Sequence, residues 1–177
     1  MPIPSGRHTI GPNNGTLTVK TYREGLASKA GHDLIMEVTQ WDATLDVGED
    51  GTARIQLSAD PGSLAVLEGH RGVKPLTDKD RGDIVKNIDR KVLGRDTINF
   101  TGSGAGTDGR IPVTGDLTMA GSTQPVTFDL ELGPDGRLRA ATSLTQSQWG
   151  IKPFTGLIGA LKVRDDVELE VDAALPG

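Results

Sequence analysis

Most of this chain alternates apolar and polar residues with the two-residue period of a strand. Over residues 16–22, Leu17 and Val19 fall on one face and Thr18 and Lys20 on the other; over Thr52–Ala59, Ala53, Ile55 and Leu57 oppose Arg54, Gln56 and Ser58. The same alternation recurs over 96–102, 111–119, 124–132, 137–148 and 163–173. Such a pattern puts one face in a core and the other in water. Residues 34–47 start in one phase, with Leu34, Met36 and Val38, and finish in the other, with Trp41, Ala43, Leu45 and Val47. One face must stay buried, so the slip predicts a bulge near Thr39 or Gln40.

Clusters of Gly, Pro, Asn and Asp at 11–15, 48–51, 60–62, 107–109, 120–121 and 133–136 separate these runs as turns. Eight strands result, with a short ninth at 8–10. Consecutive strands joined by tight turns predict an all-β fold, an eight-stranded antiparallel up-and-down barrel, wide enough to be filled by side chains or to hold one ligand. A two-sheet sandwich is the structural rival.

One run breaks the rule. Ile84, Val85, Ile88, Val92 and Leu93 recur with the period of a helix, predicting an α-helix over about 77–94. Thr77 caps it, Asp78 and Asp80 complement its positive end, Arg90 and Lys91 its negative end, and Gly94 stops it. The hexapeptide before it, Gly72-Val73-Lys74-Pro75-Leu76-Thr77, returns as Gly150-Ile151-Lys152-Pro153-Phe154-Thr155, with Phe154, Leu157, Ile158 and Leu161 predicting a short helical segment at about 153–161. Two readings stand. Either two strand-to-helix transitions share the same punctuation, or both segments sit around one opening with Lys74 and Lys152 facing it.

Composition narrows the function classes. A chain of 177 residues suits one domain. The absence of Cys excludes disulfides, a thiol nucleophile and a zinc-finger framework. A formal net charge of −5 with interleaved signs offers no basic stripe for nucleic acid. Residues 1–15 lack the apolar core of a signal peptide, and no run approaches the roughly 18 apolar residues of a membrane span. The expectation is a soluble, cytoplasmic protein without stable membrane insertion, unless a leader was removed. Only six aromatic residues, Tyr22, Trp41, Phe100, Phe128, Trp149 and Phe154, accompany 24 Gly, hinting at an interior short of large side chains.

Residues 104–109 fit G-x-G-x-x-G, but a strand-like run containing Pro112 follows where a helix N-terminus would have to receive a pyrophosphate, so a hairpin loop is expected. Asp78 to Asp83 loosely resembles a calcium loop, with Gly82 one place early and Asp89 where the bidentate Glu belongs. His8, His32 and His70 have no metal-ligand spacing, and no G-x-S-x-G is present. His32 and Asp33 read as organisers of a turn. No cofactor is implied.

Several stretches together carry a resemblance: Gly31-His32-Asp33-Leu34, the Val73 to Thr77 block, Gly115-Asp116-Leu117-Thr118-Met119-Ala120-Gly121 with Pro125-Val126-Thr127-Phe128, Trp149-Gly150-Ile151-Lys152-Pro153, and Leu161-Lys162-Val163-Arg164-Asp165-Asp166-Val167. With them the chain resembles the YceI-like family over nearly its whole length. The resemblance implies one domain over 1–177, a lipocalin-like barrel whose elongated apolar cavity holds a polyisoprenoid or similar long-chain amphiphile. Many relatives are periplasmic, and no catalytic motif carries over.

The first functional expectation is therefore sequestration or transport of an isoprenoid or fatty lipid, without catalysis. Leu17, Val19, Met36, Val38, Trp41, Ile55, Leu57, Phe100, Val113, Leu117, Phe128 and Leu144 would line the cavity. Phe154, Leu157 and Ile158 would stand near its mouth, with Lys74 and Lys152 as head-group partners. The second is an enzyme acting on an apolar substrate with His32, Asp33 or His70 as acid or base, which requires two of them in contact. The third is a protein-binding module that uses a strand edge or the charged helix. A homodimer is left open by the sequence.

Overall fold

The computed structural model describes residues 4–24, 33–70, 97–106, 108–133, 135–151, 155–156 and 161–175. The strands in chain order are β1 (Gly6–Ile10), β2 (Gly15–Thr21), β3 (Arg23–Glu24), β4 (Asp33–Val38), β5 (Trp41–Val47), β6 (Thr52–Ala59), β7 (Leu64–His70), β8 (Ile98–Ala105), β9 (Arg110–Met119), β10 (Ser122–Leu132), β11 (Arg137–Thr145), β12 (Thr155–Gly156), β13 (Leu161–Val163) and β14 (Asp166–Ala174). Eleven of them form one sheet in the order β1-β5-β6-β8-β9-β10-β11-β14-β2-β4-β7, every neighbour antiparallel.

Those eleven strands make eight staves, because three stretches of chain each supply two strands in line. β1 and β2 run beside the chain carrying β5 and β4: Ile10 pairs with Ala43, then Leu17 with Val38. β6 and β7 flank that same chain on its other side, with Ala59 opposite Trp41 and Leu64 opposite Val38. Since β6 pairs with β8 and β2 with β14, the staves β1/β2, β4/β5, β6/β7, β8, β9, β10, β11 and β14 close into a ring. The eight-stranded antiparallel barrel expected from the alternation is this ring, with more strand breaks than the sequence suggested.

The breaks lie side by side. Val38 and Trp41 are buried with the exposed Thr39 and Gln40 between them, which is the expected phase slip. Across from it, Pro61–Ser63 forms a short 3-10 turn capped by the Asp60 side chain, which accepts from the Gly62 N–H at 2.8 Å. Thr39 N–H donates to the Ser63 carbonyl and Asp60 N–H to the Gln40 carbonyl, both at 3.0 Å. The two staves therefore bend together without parting, and Leu64–His70 continues as a strand that the turn signal at 60–62 had concealed.

The two ends of the ring differ. At one, β5–β6, β8–β9 and β10–β11 are joined by short hairpins, and the G-x-G-x-x-G stretch runs from the end of β8 into the β8–β9 hairpin, with Asp108 at φ 60° and Gly109 at φ 82°. At the other, β3, β12 and β13 form a small second sheet that prolongs β2 and β14. Arg164 N–H donates to the Tyr22 carbonyl at 2.7 Å there, with its guanidinium over the Tyr22 ring. The chain also leaves β3, β7 and Ile151, and enters β4 and β8, at this end. The expected helix at about 77–94 lies outside the described residues.

The short helical segment expected at about 153–161 is not borne out where it is described. Thr155 pairs with Lys162 and Gly156 with Leu161 as β12 and β13. The apolar spacing was short enough to fit either period. Pairing of Lys162 with Glu24 and Val163 with Arg23 on β3 decides for strand.

Candidate functional site

The inward face of the barrel is predominantly apolar over the described staves. Its buried members include Leu17, Met36, Val38, Trp41, Leu45, Ile55, Phe100, Val113, Leu117 and Leu144, and among the described residues the buried polar ones are Thr21 and Gln146. Gln146 is satisfied, donating from Nε2 to the Arg164 carbonyl at 3.2 Å.

Burial is uneven along that face. On β10, Val126 and Leu130 are buried but Phe128 between them is only half-buried. On β11, Leu138 and Leu144 are buried while Ala140 and Thr142 are not. On β14, Val167 and Ala173 enclose the half-buried Leu169 and Val171, and on β2, Leu17 and Thr21 enclose Val19. These positions are contiguous: Leu169 pairs with both Thr142 and Val19, and Val171 with both Ala140 and Leu17. On four adjacent staves buried positions thus flank a half-buried middle, the outline of a largely apolar chamber.

The chamber wall is incomplete on one side. β10 and β11 are paired from Leu132 and Leu138 up to Leu130 and Ala140 and no further. Above that, the Thr142 hydroxyl donates to the Thr127 carbonyl at 3.4 Å, a side-chain tether where a ladder would otherwise run. Farther along, the turn Gln146–Trp149 brings Trp149 to the wall, 2% exposed, with its indole N–H donating to the Leu117 carbonyl at 2.8 Å. Gly150 ends this turn in the left-handed region at φ 74°, a conformation that excludes most side chains. The Gly of the second hexapeptide thus serves as a turn terminator.

The other tryptophan is different. Trp41 is 5% exposed at the start of β5, and its Nε1 has no hydrogen-bond partner. A buried N–H without an acceptor costs about 1–3 kcal/mol.

Of the residues expected to line the cavity, Leu17, Met36, Val38, Trp41, Ile55, Phe100, Val113, Leu117 and Leu144 are in the buried core, and Val19, Leu57 and Phe128 are packed against it and half-buried. Val19 and Phe128 face the accessible middle. Sequence reading missed Ala140, Thr142, Leu169 and Val171 as lining positions, although their alternation was visible. Phe154, Leu157, Ile158, Lys74 and Lys152 lie outside the described residues, as does His32. Asp33 and His70 are register partners on β4 and β7. His8 hydrogen-bonds the Pro4 carbonyl at 2.7 Å. Among the described residues no group of His and acidic side chains is suited to holding a metal.

Among the described residues no charged side chain is buried. At the short-hairpin end an open groove of about 620 Å³ is lined by residues of β1, β5, β6 and β8, among them Arg7, Asp46, Val47, Ala53, Arg54 and Ser103. There the hydrogen bond from Arg7 holds the Asp46 carboxyl below the usual carboxylate range. Among the described residues no helix is long and apolar enough to cross a membrane.

A closed antiparallel ring of eight staves with an apolar interior accessible in its middle is a barrel of the lipocalin type. The sequence profile of the YceI-like domain matches residues 35–175, most of the chain, and the chain belongs to the YceI-like family. That family is known as a polyisoprenoid-binding fold. No curated protein matches the sequence. Among solved structures the chain is similar to BcnA of Burkholderia cenocepacia, at 14% identity over 92% of this chain and 97% of that one, with a TM-score of 0.66. It is also similar to a Campylobacter jejuni YCEI protein, at 15% identity over 80% of this chain and 84% of that one, with a TM-score of 0.54. Identities this low establish a shared fold alone.

Proposed function

We propose that the protein binds a long-chain apolar lipid, a polyisoprenoid or similar amphiphile, in the barrel interior for sequestration or transport, without chemistry. The observation that carries this reading is the contiguous half-buried row Phe128, Ala140, Thr142, Leu169, Val171 and Val19, flanked by buried residues along each strand. Apolar surface left accessible inside a barrel is favourable to cover. Each buried methylene of a ligand contributes about 0.8 kcal/mol, so about eight such units supply roughly 6 kcal/mol before ordering costs. Membership of the YceI-like family supports the same ligand class. The remaining cavity-lining residues read from the alternation, Leu17, Met36, Val38, Trp41, Ile55, Leu57, Phe100, Val113, Leu117 and Leu144, would supply the rest of the lining around the ring.

Organic-solvent extraction of the purified protein followed by mass spectrometry tests the proposal. A stoichiometric long-chain lipid is the expected result. An extract without lipid, together with no uptake of added geranylgeraniol, rules the function out.

A further inference from the structure

We propose that the Trp41 indole N–H is a polar anchor inside the chamber, and that the bound amphiphile carries a neutral hydrogen-bond acceptor, an ester, ketone or hydroxyl oxygen, into the middle of the barrel. This rests on the lipid reading above and adds to it a class of ligand and an orientation: the polar end enters the barrel.

Trp41 is placed for that role. It lies midway along the stave formed by β4 and β5, and in its buried phase it follows Met36 and Val38 and precedes Ala43 and Leu45. Four steps around the ring in either direction lead from this stave to β10, through β6, β8 and β9 or through β2, β14 and β11. Trp41 therefore stands on the wall opposite Phe128, which is itself midway along β10 and half-buried.

The N–H has no acceptor among the groups around it. Its register partner is Ala59, which pairs in turn with Ile98, and neither offers a side-chain acceptor. Trp149 shows what the same group does when satisfied, since its N–H reaches the Leu117 carbonyl at 2.8 Å. Buried polar groups left open in a native fold are few and call for a partner. The acceptor is neutral because no described residue of the inward face is charged, and an ionised group there would be desolvated without compensation.

The test uses the whole, delipidated, 15N-labelled chain and two probes of equal length, geranylgeranyl acetate and the oxygen-free tetraprenyl hydrocarbon. The Trp41 indole resonance is assigned with Trp149→Phe. The acetate is expected to move the Trp41 indole proton downfield, and the hydrocarbon is expected to leave it in place. In Trp41→Phe the acetate should bind about tenfold more weakly, with the hydrocarbon changed by less than about twofold. The indole resonance is read on the unmodified chain, so a poorly folding variant does not remove the test. If both probes bind and the indole proton stays put for both, the anchor is overturned and the lipid reading stands. If neither probe binds, the lipid reading falls and the anchor falls with it.

Discussion

Gly102 on β8 and Gly115 on β9 are register partners, and the ring of Phe100 occupies the space above both. A Cβ at Gly115 would fall on the Thr101 carbonyl oxygen, 2.5 Å from the Gly102 Cα and 2.7 Å from Phe100 Cζ. At Gly102 it would meet the Phe100 ring at 2.7 Å and Val113 Cγ1 at 3.1 Å, side-chain atoms in both cases. The glycines thus let one aromatic ring lie against the wall, where it meets Phe128 at 5.5 Å between centroids and 49° between planes. Gly115→Ala is predicted to destabilise by about 2–3 kcal/mol and Gly102→Ala by about 1 kcal/mol, because backbone yields less than a ring. Urea unfolding midpoints rank the two, and equal midpoints contradict the proposed packing.

The two indoles make a second prediction. Trp149→Phe removes a hydrogen bond and leaves the Leu117 carbonyl without that donor, at a cost of about 1–2 kcal/mol. Trp41→Phe removes an N–H that has no acceptor, so only the smaller ring volume counts against it. The ligand-free Trp41→Phe protein should unfold at higher urea than Trp149→Phe. The reverse order would mean that Trp41 has an acceptor in the empty barrel.

Acid should loosen the hairpin turns first. Hydrogen bonds from the Thr52 hydroxyl and backbone N–H, at 2.7 and 3.1 Å, lower the Asp50 pKa, and those from the Arg139 guanidinium and the Arg137 N–H lower that of Asp135. A depressed folded pKa means that the unfolded chain takes up protons first as the pH falls. The stability these carboxylates contribute is therefore complete above the unfolded pKa of about 3.9 and is lost as the pH drops through the folded value. Asp50→Asn and Asp135→Asn should each reduce the loss of stability between neutral pH and pH of about 3. Added salt should weaken the Asp135 contribution, which involves a cation, more than that of Asp50. Equal salt sensitivity in urea titrations would contradict this division.

The staves were legible because alternation is a local property, and the phase slip between Val38 and Trp41 marks the bend in the sequence itself. The extra strand β7 was not legible. Asp60-Pro61-Gly62 has the chemistry of a terminator, yet Thr39 and Gln40 hold the chain on both sides of it beside the same neighbour. β12 and β13 were hidden for a related reason: a few apolar residues fit two periods, and a partner on β3 chose between them. The chamber was legible only in outline. Alternation shows that Ala140, Thr142, Leu169 and Val171 share a face with Leu138 and Val167, but which of them stay accessible depends on how eight staves close. The unpaired N–H of Trp41 is likewise a property of the closed ring, since a tryptophan in a sequence says nothing about its acceptor.

Two inward alanines separate a chamber from a filled core. Ala43 on β5 is buried, whereas Ala140 on β11 is half-buried between the buried Leu138 and Leu144. If the middle of β11 faces open space, Ala140→Phe adds a ring where there is room, with a change in stability below about 1 kcal/mol, and takes up volume a ligand would use. Ala43→Phe inserts the same ring into packed side chains and should cost about 2–3 kcal/mol or more. Lipid recovered by extraction should therefore fall sharply in Ala140→Phe while its urea midpoint stays near that of the parent chain. Ala43→Phe should show the opposite priority, a large drop in midpoint. If Ala140→Phe is as damaging as Ala43→Phe and the lipid content of the folded fraction is unchanged, the half-buried row does not border the ligand.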